Sequence, residues 1–116
     1  MNSNEVNKAK VEITESNFES EVLTSEPPVL VAFVTTWSRP CAVLLPVLDQ
    51  IASECDGKLK IVRVDADKNL DLSLWYDVQS IPTLLYFVAG AVRSRIVGTA
   101  TKEAILSKLE TTRKAI

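Results

Sequence analysis

Apolar and polar positions follow two different periods along this chain, and the switches between them mark its elements. Val29-Leu30-Val31-Ala32-Phe33-Val34 is an unbroken apolar, β-branched run, the pattern of a central strand buried on both faces. From Arg39 onward, Val43, Leu44, Val47, Leu48 and Ile51 recur at helical spacing, which predicts a helix ending near Cys55. Pro46 falls inside it, removes one backbone hydrogen bond and predicts a kink. Gly57 marks the exit, and Lys60 to Asp65 reads as a second strand. Asp67 is expected to cap a short helix carrying Leu70, Leu72, Leu74 and Trp75. Ile81-Pro82-Thr83 opens a third main strand, Thr83 to Val88, and Ala89-Gly90 predicts a tight hairpin into Val92 to Val97. Gly98 ends that strand, and Thr101 is placed to cap a last helix with Ile105, Leu106 and Leu109 as its buried stripe.

Ahead of these, Val11-Glu12-Ile13 alternates as a short strand, and Ser16 or Asn17 offers an N-cap to a helix with Phe18, Val22 and Leu23 on one face. Pro27-Pro28 ends that helix. The order is β-α-β-α-β-α-β-β-α, in which βαβ units imply parallel pairing and the last hairpin an antiparallel edge. Residues 1–10 are polar and read as a flexible tail, so that 11–116 form a single domain.

Composition narrows the function. A chain of 116 residues buries about 65% of its unfolded surface, enough for a real core. The net charge of −2 lacks the basic excess of a nucleic-acid binder. No apolar run approaches the roughly 20 residues of a membrane span, and the polar start lacks the apolar core of a secretory signal, so a cytoplasmic monomer is expected. The sequence has no histidine, which excludes Cys/His zinc sites and Ser–His or Cys–His catalysis; no metal or cofactor is expected. Cys41 and Cys55 lie 14 residues apart on one helix. That separates them by roughly 21 Å, beyond the reach of a disulfide.

The remaining chemistry gathers at Trp37-Ser38-Arg39-Pro40-Cys41, a turn between an apolar strand and a helix N-terminus. With Pro46 in the following helix, Ile81-Pro82-Thr83, and Gly90 and Gly98 near the last strands, this resembles the thioredoxin family over about residues 11 to 112. The resemblance implies an α/β thioredoxin fold, a central mixed five-stranded sheet flanked by four helices. It also implies a cis-proline at Pro82 facing the turn, and a groove formed by Trp37, Arg39, Pro40, Ile81, Pro82, Thr83 and Gly98. Such a groove takes protein or peptide partners, including thiol- or disulfide-bearing ones, by pairing backbone to backbone.

Two departures from the family pattern bear on activity. Its Trp-Cys-Gly-Pro-Cys turn has Ser38 here in place of the attacking cysteine, and no histidine can activate a serine hydroxyl. Where the family places a buried Asp beneath the second cysteine, this chain has Ala32, and Arg63 stands at the place of that acid's lysine partner. Ser38 is a favourable N-cap for Cys41 N–H. Cys41 is either a small buried hydrophobe or a single reactive thiol in a helical first turn that favours anions, with Arg39 adding positive charge beside it. Trp37 is expected to face the groove. Trp75 and Tyr76 either extend an apolar binding face or pack on the sheet. Lys58, Lys60, Arg93 and Arg95 read as a solvated face, and Cys55 as an incidental thiol.

The leading expectation is therefore a degenerate thioredoxin-like protein that binds partners through the groove, with Cys41 at most a single-thiol redox site. One alternative is an active protein disulfide oxidoreductase whose first cysteine has been exchanged for Ser38; the loss at Ala32 speaks against a single exchange. Another is a structural interaction module.

Overall fold

The computed structural model describes residues 12–115. The expected tail, 1–10, lies outside the described residues, as does Val11 of the first strand. The strands are β1 (Glu12–Ile13), β2 (Val29–Val34), β3 (Lys60–Asp65), β4 (Thr83–Val88) and β5 (Ala91–Val97). The helices are a π-helical turn (Glu19–Leu23), α1 (Arg39–Glu54), α2 (Leu70–Trp75) and α3 (Lys102–Ala115). They assemble into one five-stranded sheet in the order β1-β3-β2-β4-β5. β1 and β2 run parallel to β3, whereas β4 is antiparallel to both β2 and β5. This mixed sheet with four helical segments is a thioredoxin fold.

The unbroken apolar run of β2 explains why the sheet is covered on both sides. Leu30, Ala32 and Val34 point to a core built with Leu44, Leu48 and Ile51 of α1, Leu84 of β4 and Ile105 of α3. Val29, Val31 and Phe33 point the other way, onto Ile13, Phe18, Val22, Val62, Val64, Leu72 and Phe87. On this second face Phe18, Tyr76 and Phe87 meet with ring centroids 5.4–5.8 Å apart. Each such buried large side chain stabilises the fold by about 1.5–3 kcal/mol.

Local sequence chemistry sets the ends of the elements. Thr101 Oγ1 accepts from Ala104 N–H at 3.1 Å and caps α3. Ala89 (φ 52) and Gly90 (φ 82) are both left-handed, the two-residue turn that the twist of a hairpin requires. α2 ends in a Schellman motif: Val78 N–H reaches Ser73 O at 2.8 Å, Asp77 N–H reaches Leu74 O at 3.1 Å, and Asp77 sits at φ 54. Arg95 of β5 crosses to this end and donates to Tyr76 O at 2.6 Å and Asp77 O at 3.2 Å. α1 continues through Pro46 without a break.

Three local expectations are corrected. Neither Ser16 nor Asn17 caps the first helix. Phe18 occupies the cap position with no side-chain bond, while Asn17 Oδ1 accepts Thr14 N–H at 2.7 Å and closes the preceding turn. Asp67 does not cap α2; Asn69 holds that position without a side-chain cap, and Asp67 is engaged elsewhere, as described below. Lys60 and Arg95 are not simply solvated. Lys60 Nζ pairs with Glu21 Oε1 at 2.6 Å and donates to Glu21 O, joining β3 to the π-helical turn, and Arg95 ties β5 to α2.

Candidate functional site at the Trp37–Cys41 turn

β2 delivers the chain to the C-terminal edge of the sheet, and α1 starts five residues later. Ser38 is the N-cap of α1, with extended backbone (φ −84, ψ 122), and its hydroxyl accepts Cys41 N–H at 3.3 Å. The side chain is buried at this junction. Its oxygen serves the helix terminus, as a serine at such a position ordinarily does.

Cys41 lies directly beneath and is 1% exposed. Its Sγ accepts from Thr35 N–H at 3.5 Å, and the side chain belongs to the same core cluster as Ala32, Val34, Leu44 and Leu84. Cys55 ends the same helix, and both thiols are free. At Cys41 the structure therefore places a core thiol under a hydroxyl cap. Arg39 and Pro40 stand exposed at the first two positions of α1.

Trp37 projects into solvent at 71% exposure, yet it is fixed: its Nε1–H donates to Asp67 Oδ2 at 2.7 Å. Asp67 in turn belongs to a turn in which its own N–H donates to Asp65 Oδ1 at 3.0 Å. This Trp–Asp bond spans thirty positions. Nothing in the local pattern around Asp67 signals it, because the proximity comes from the parallel pairing of β2 with β3.

The Ile81–Pro82–Thr83 segment precedes and opens β4. The Ile81–Pro82 peptide is cis. Pro82 and Thr83 are buried and Ile81 is half-buried. Pro82 O accepts Gly98 N–H at 2.8 Å, which ties the cis-proline loop to the end of β5, where Gly98 adopts φ 88. A side chain at Gly98 would meet open space, so the glycine answers to backbone conformation here and leaves the adjoining surface clear. A recess of about 330 Å³ lies beside this segment, lined by Ser80, Thr83, Val97, Arg95, Asp77 and Gln79.

Beneath the turn the sheet sets Glu12, Arg63, Ala32 and Leu84 in one cross-strand row. Ala32 is fully buried, so no ionisable group stands there. Arg63 Nε and Thr35 Oγ1 are buried without a hydrogen-bond partner, and both residues line a small cavity of about 130 Å³ together with Glu12, Val34, Leu45 and Asp65. Thr35 is a residue that sequence reasoning missed; its backbone reaches Cys41 and its hydroxyl reaches this cavity. A roomier cleft, about 460 Å³, opens at the other end of β2 between Pro28, Cys55, Leu59, Tyr86 and Leu109 and is remote from the turn. Among the described residues no cluster of His, Cys, Asp and Glu could hold a metal ion, and no helix is long and apolar enough to cross a membrane.

A Trp-x-x-Pro-Cys turn at a helix N-terminus, a cis-proline loop and a mixed sheet of this order define the class of thioredoxin-fold proteins. The thioredoxin family model matches residues 9–111. The chain is 40% identical over 102 residues to thioredoxin 1 of Nostoc sp., covering 88% of this chain and 95% of that protein. It is 38% identical over 100 residues to a thioredoxin of Pseudomonas aeruginosa, covering 86% and 93%. It is also 41% identical over 99 residues to a bifunctional thioredoxin reductase/thioredoxin of Mycobacterium leprae, covering 85% of this chain and 22% of that longer protein. The chain belongs to the thioredoxin family.

Proposed function

We propose that this thioredoxin-family chain recognises protein or peptide partners through the groove between Trp37 and the Ile81–Pro82–Thr83 segment, and does not turn over disulfides as a dithiol. The observation that carries this reading is Ser38: the position of the attacking thiol is a buried hydroxyl that already accepts Cys41 N–H. Disulfide exchange needs a thiolate that attacks and a second thiol that resolves. Cys41 alone supplies neither pair nor access, since it is enclosed in the core. Ala32 leaves no carboxylate to take its proton. The groove retains what binding requires: Trp37 held by Asp67, a cis-proline loop, and a clear surface at Gly98.

Insulin reduction with dithiothreitol as electron source is expected to run at the uncatalysed rate. Turnover near that of an ordinary thioredoxin would overturn the reading. The comparison variant is Ser38→Cys, which places Cys-x-x-Cys at the start of α1 and is expected to form a disulfide with Cys41 on oxidation. Two titratable thiols at those positions after oxidation would mean that the turn is not the family's site. In the native protein, thiol reagents are expected to modify Cys55 well before Cys41; equal rates would assign Cys41 a single-thiol chemistry instead of a structural one.

A further inference from the structure

Two buried polar atoms near the Trp37–Cys41 turn have no hydrogen-bond partner: Thr35 Oγ1 and Arg63 Nε. Thr35 is 5% exposed. It is the first residue after β2, and its backbone N–H is the donor that reaches Cys41 Sγ. Arg63 is half-buried on β3. Both side chains line the cavity of about 130 Å³, whose wall also includes the exposed residues Glu12 and Thr36. A buried donor or acceptor left unbonded carries the whole cost of its lost hydration, so in native proteins such atoms find a partner.

Charge and hydrogen-bond type decide what that partner is. Arg63 Nε–H can only donate, whereas the Thr35 hydroxyl can donate and accept. Among the described residues of the cavity wall one cation, Arg63, faces two carboxylates, Glu12 and Asp65. Asp67 lies next to them, with its N–H on Asp65 Oδ1. That balance opposes a bound anion, and the guanidinium opposes a bound cation. What fits is a small neutral molecule that accepts from Arg63 and Thr35 and donates to the carboxylates. Water meets each condition, and at roughly 30 Å³ per molecule about four fit the cavity. We propose that this cavity is a hydration site, in which ordered water bridges Arg63 Nε to Thr35 Oγ1 beside the Trp37–Cys41 turn. The bridge ties β3 to the end of β2 through side chains, and it anchors the residue whose N–H faces Cys41 Sγ. It does not depend on the groove reading.

The test is a double-mutant cycle in the full-length protein, read as urea midpoints. Thr35→Val keeps the shape of the side chain and removes the hydroxyl. Arg63→Met keeps an apolar stem and removes the Nε–H. A hydroxyl that bonded to nothing would raise the midpoint on removal. With water on it, Thr35→Val is expected to lower the midpoint by about 0.5 M. Both changes break one bridge, so the double variant is expected to lose less than the sum of the single losses. A high-resolution crystal structure is expected to show water within about 3.2 Å of both atoms. A raised midpoint in Thr35→Val, losses that simply add, or density without water at the two atoms would each overturn the proposal. So would a rise in midpoint with chloride at fixed ionic strength that Arg63→Met abolishes, because an anion would then hold the place assigned to water.

Discussion

Ser38→Ala isolates the structural role of the hydroxyl that stands where the family has its nucleophile. In the first turn of α1, Pro40 brings no N–H, and Ala42 N–H already reaches Ser38 O at 3.1 Å. Cys41 N–H is therefore the donor that depends on the side chain, at 3.3 Å. Removing an N-cap costs about 1 kcal/mol. Because Ser38 and Cys41 are buried, water cannot readily take the vacated place, which adds part of the penalty for an orphaned donor. The bond is long, which limits the loss. Together these place the destabilisation at about 1.5 kcal/mol. An unfolding entropy of about 2.1 cal/mol/K per residue, over a chain of 116 residues, converts this to a fall in Tm of roughly 6 °C. Ser38→Gly opens the donor to water and should lose only a few tenths of a kcal/mol. Thermal and urea unfolding followed by circular dichroism measure both. A Ser38→Ala midpoint within about 1 °C of the parent would show that the hydroxyl is not holding the helix, and the assignment of Ser38 as a cap would fall.

Gly90→Ala is expected to destabilise the protein by about 2 kcal/mol or more, because an L-residue disfavours this backbone region and the new Cβ would stand 2.9 Å from Leu23 O; urea midpoints check it. Ala89→Gly relieves the neighbouring left-handed alanine and should stabilise the hairpin by several tenths of a kcal/mol in the same assay. Asp67→Ala removes the acceptor of the Trp37 indole, and the expected result is a Trp37 fluorescence with larger amplitude of motion, read as lower anisotropy against a Trp75→Phe background. Burial of Tyr76 raises its pKa above 10.0, so the neutral phenol is favoured in the folded state. Its contribution to stability is complete below the ordinary tyrosine value and is lost as pH rises through the raised one. Tyr76→Phe keeps the ring contacts with Phe18 and Phe87 and is expected to soften the loss of stability on the alkaline side, measured as urea midpoints across that range.

The fold was legible because the chain changes period cleanly. The two-sided apolar run of β2, the helical stripe from Val43 to Ile51 and the Ala89-Gly90 turn each state one structure only. Caps built from a residue and its near neighbours were legible at Ser38 and Thr101, though not ahead of the π-helical turn, where Asn17 bonds back to Thr14. What escaped is chemistry made by distant strands lying side by side. Asp67 stands before an apolar run like a cap, yet it bonds to Trp37 across the β2–β3 pair. Lys60 looks like any surface lysine until the π-helical turn brings Glu21 to it. Thr35 and Arg63 are unremarkable in sequence, and only the cross-strand row under the turn makes them neighbours of one cavity. The exposure of Leu70 and Leu74 was hidden for the opposite reason: their spacing matches a buried stripe, and a helix of six residues had only one face to bury.

The outer strand of the sheet carries a last consequence. Among the described residues β5 pairs with β4 alone, and a seven-residue strand with an open side is a template for joining another chain. The pairing shifts between Tyr86 and Phe87, which leaves Arg93 as the extra residue of a bulge, and Arg95 follows two positions on. A bulge twists the edge and two arginines charge it, both of which oppose edge-to-edge stacking. Arg95 thus ties β5 to α2 and also puts a charge on the edge that a neighbouring molecule would have to join. Its loss would be felt as cloudiness in a concentrated solution as well as in the melting curve of a dilute one.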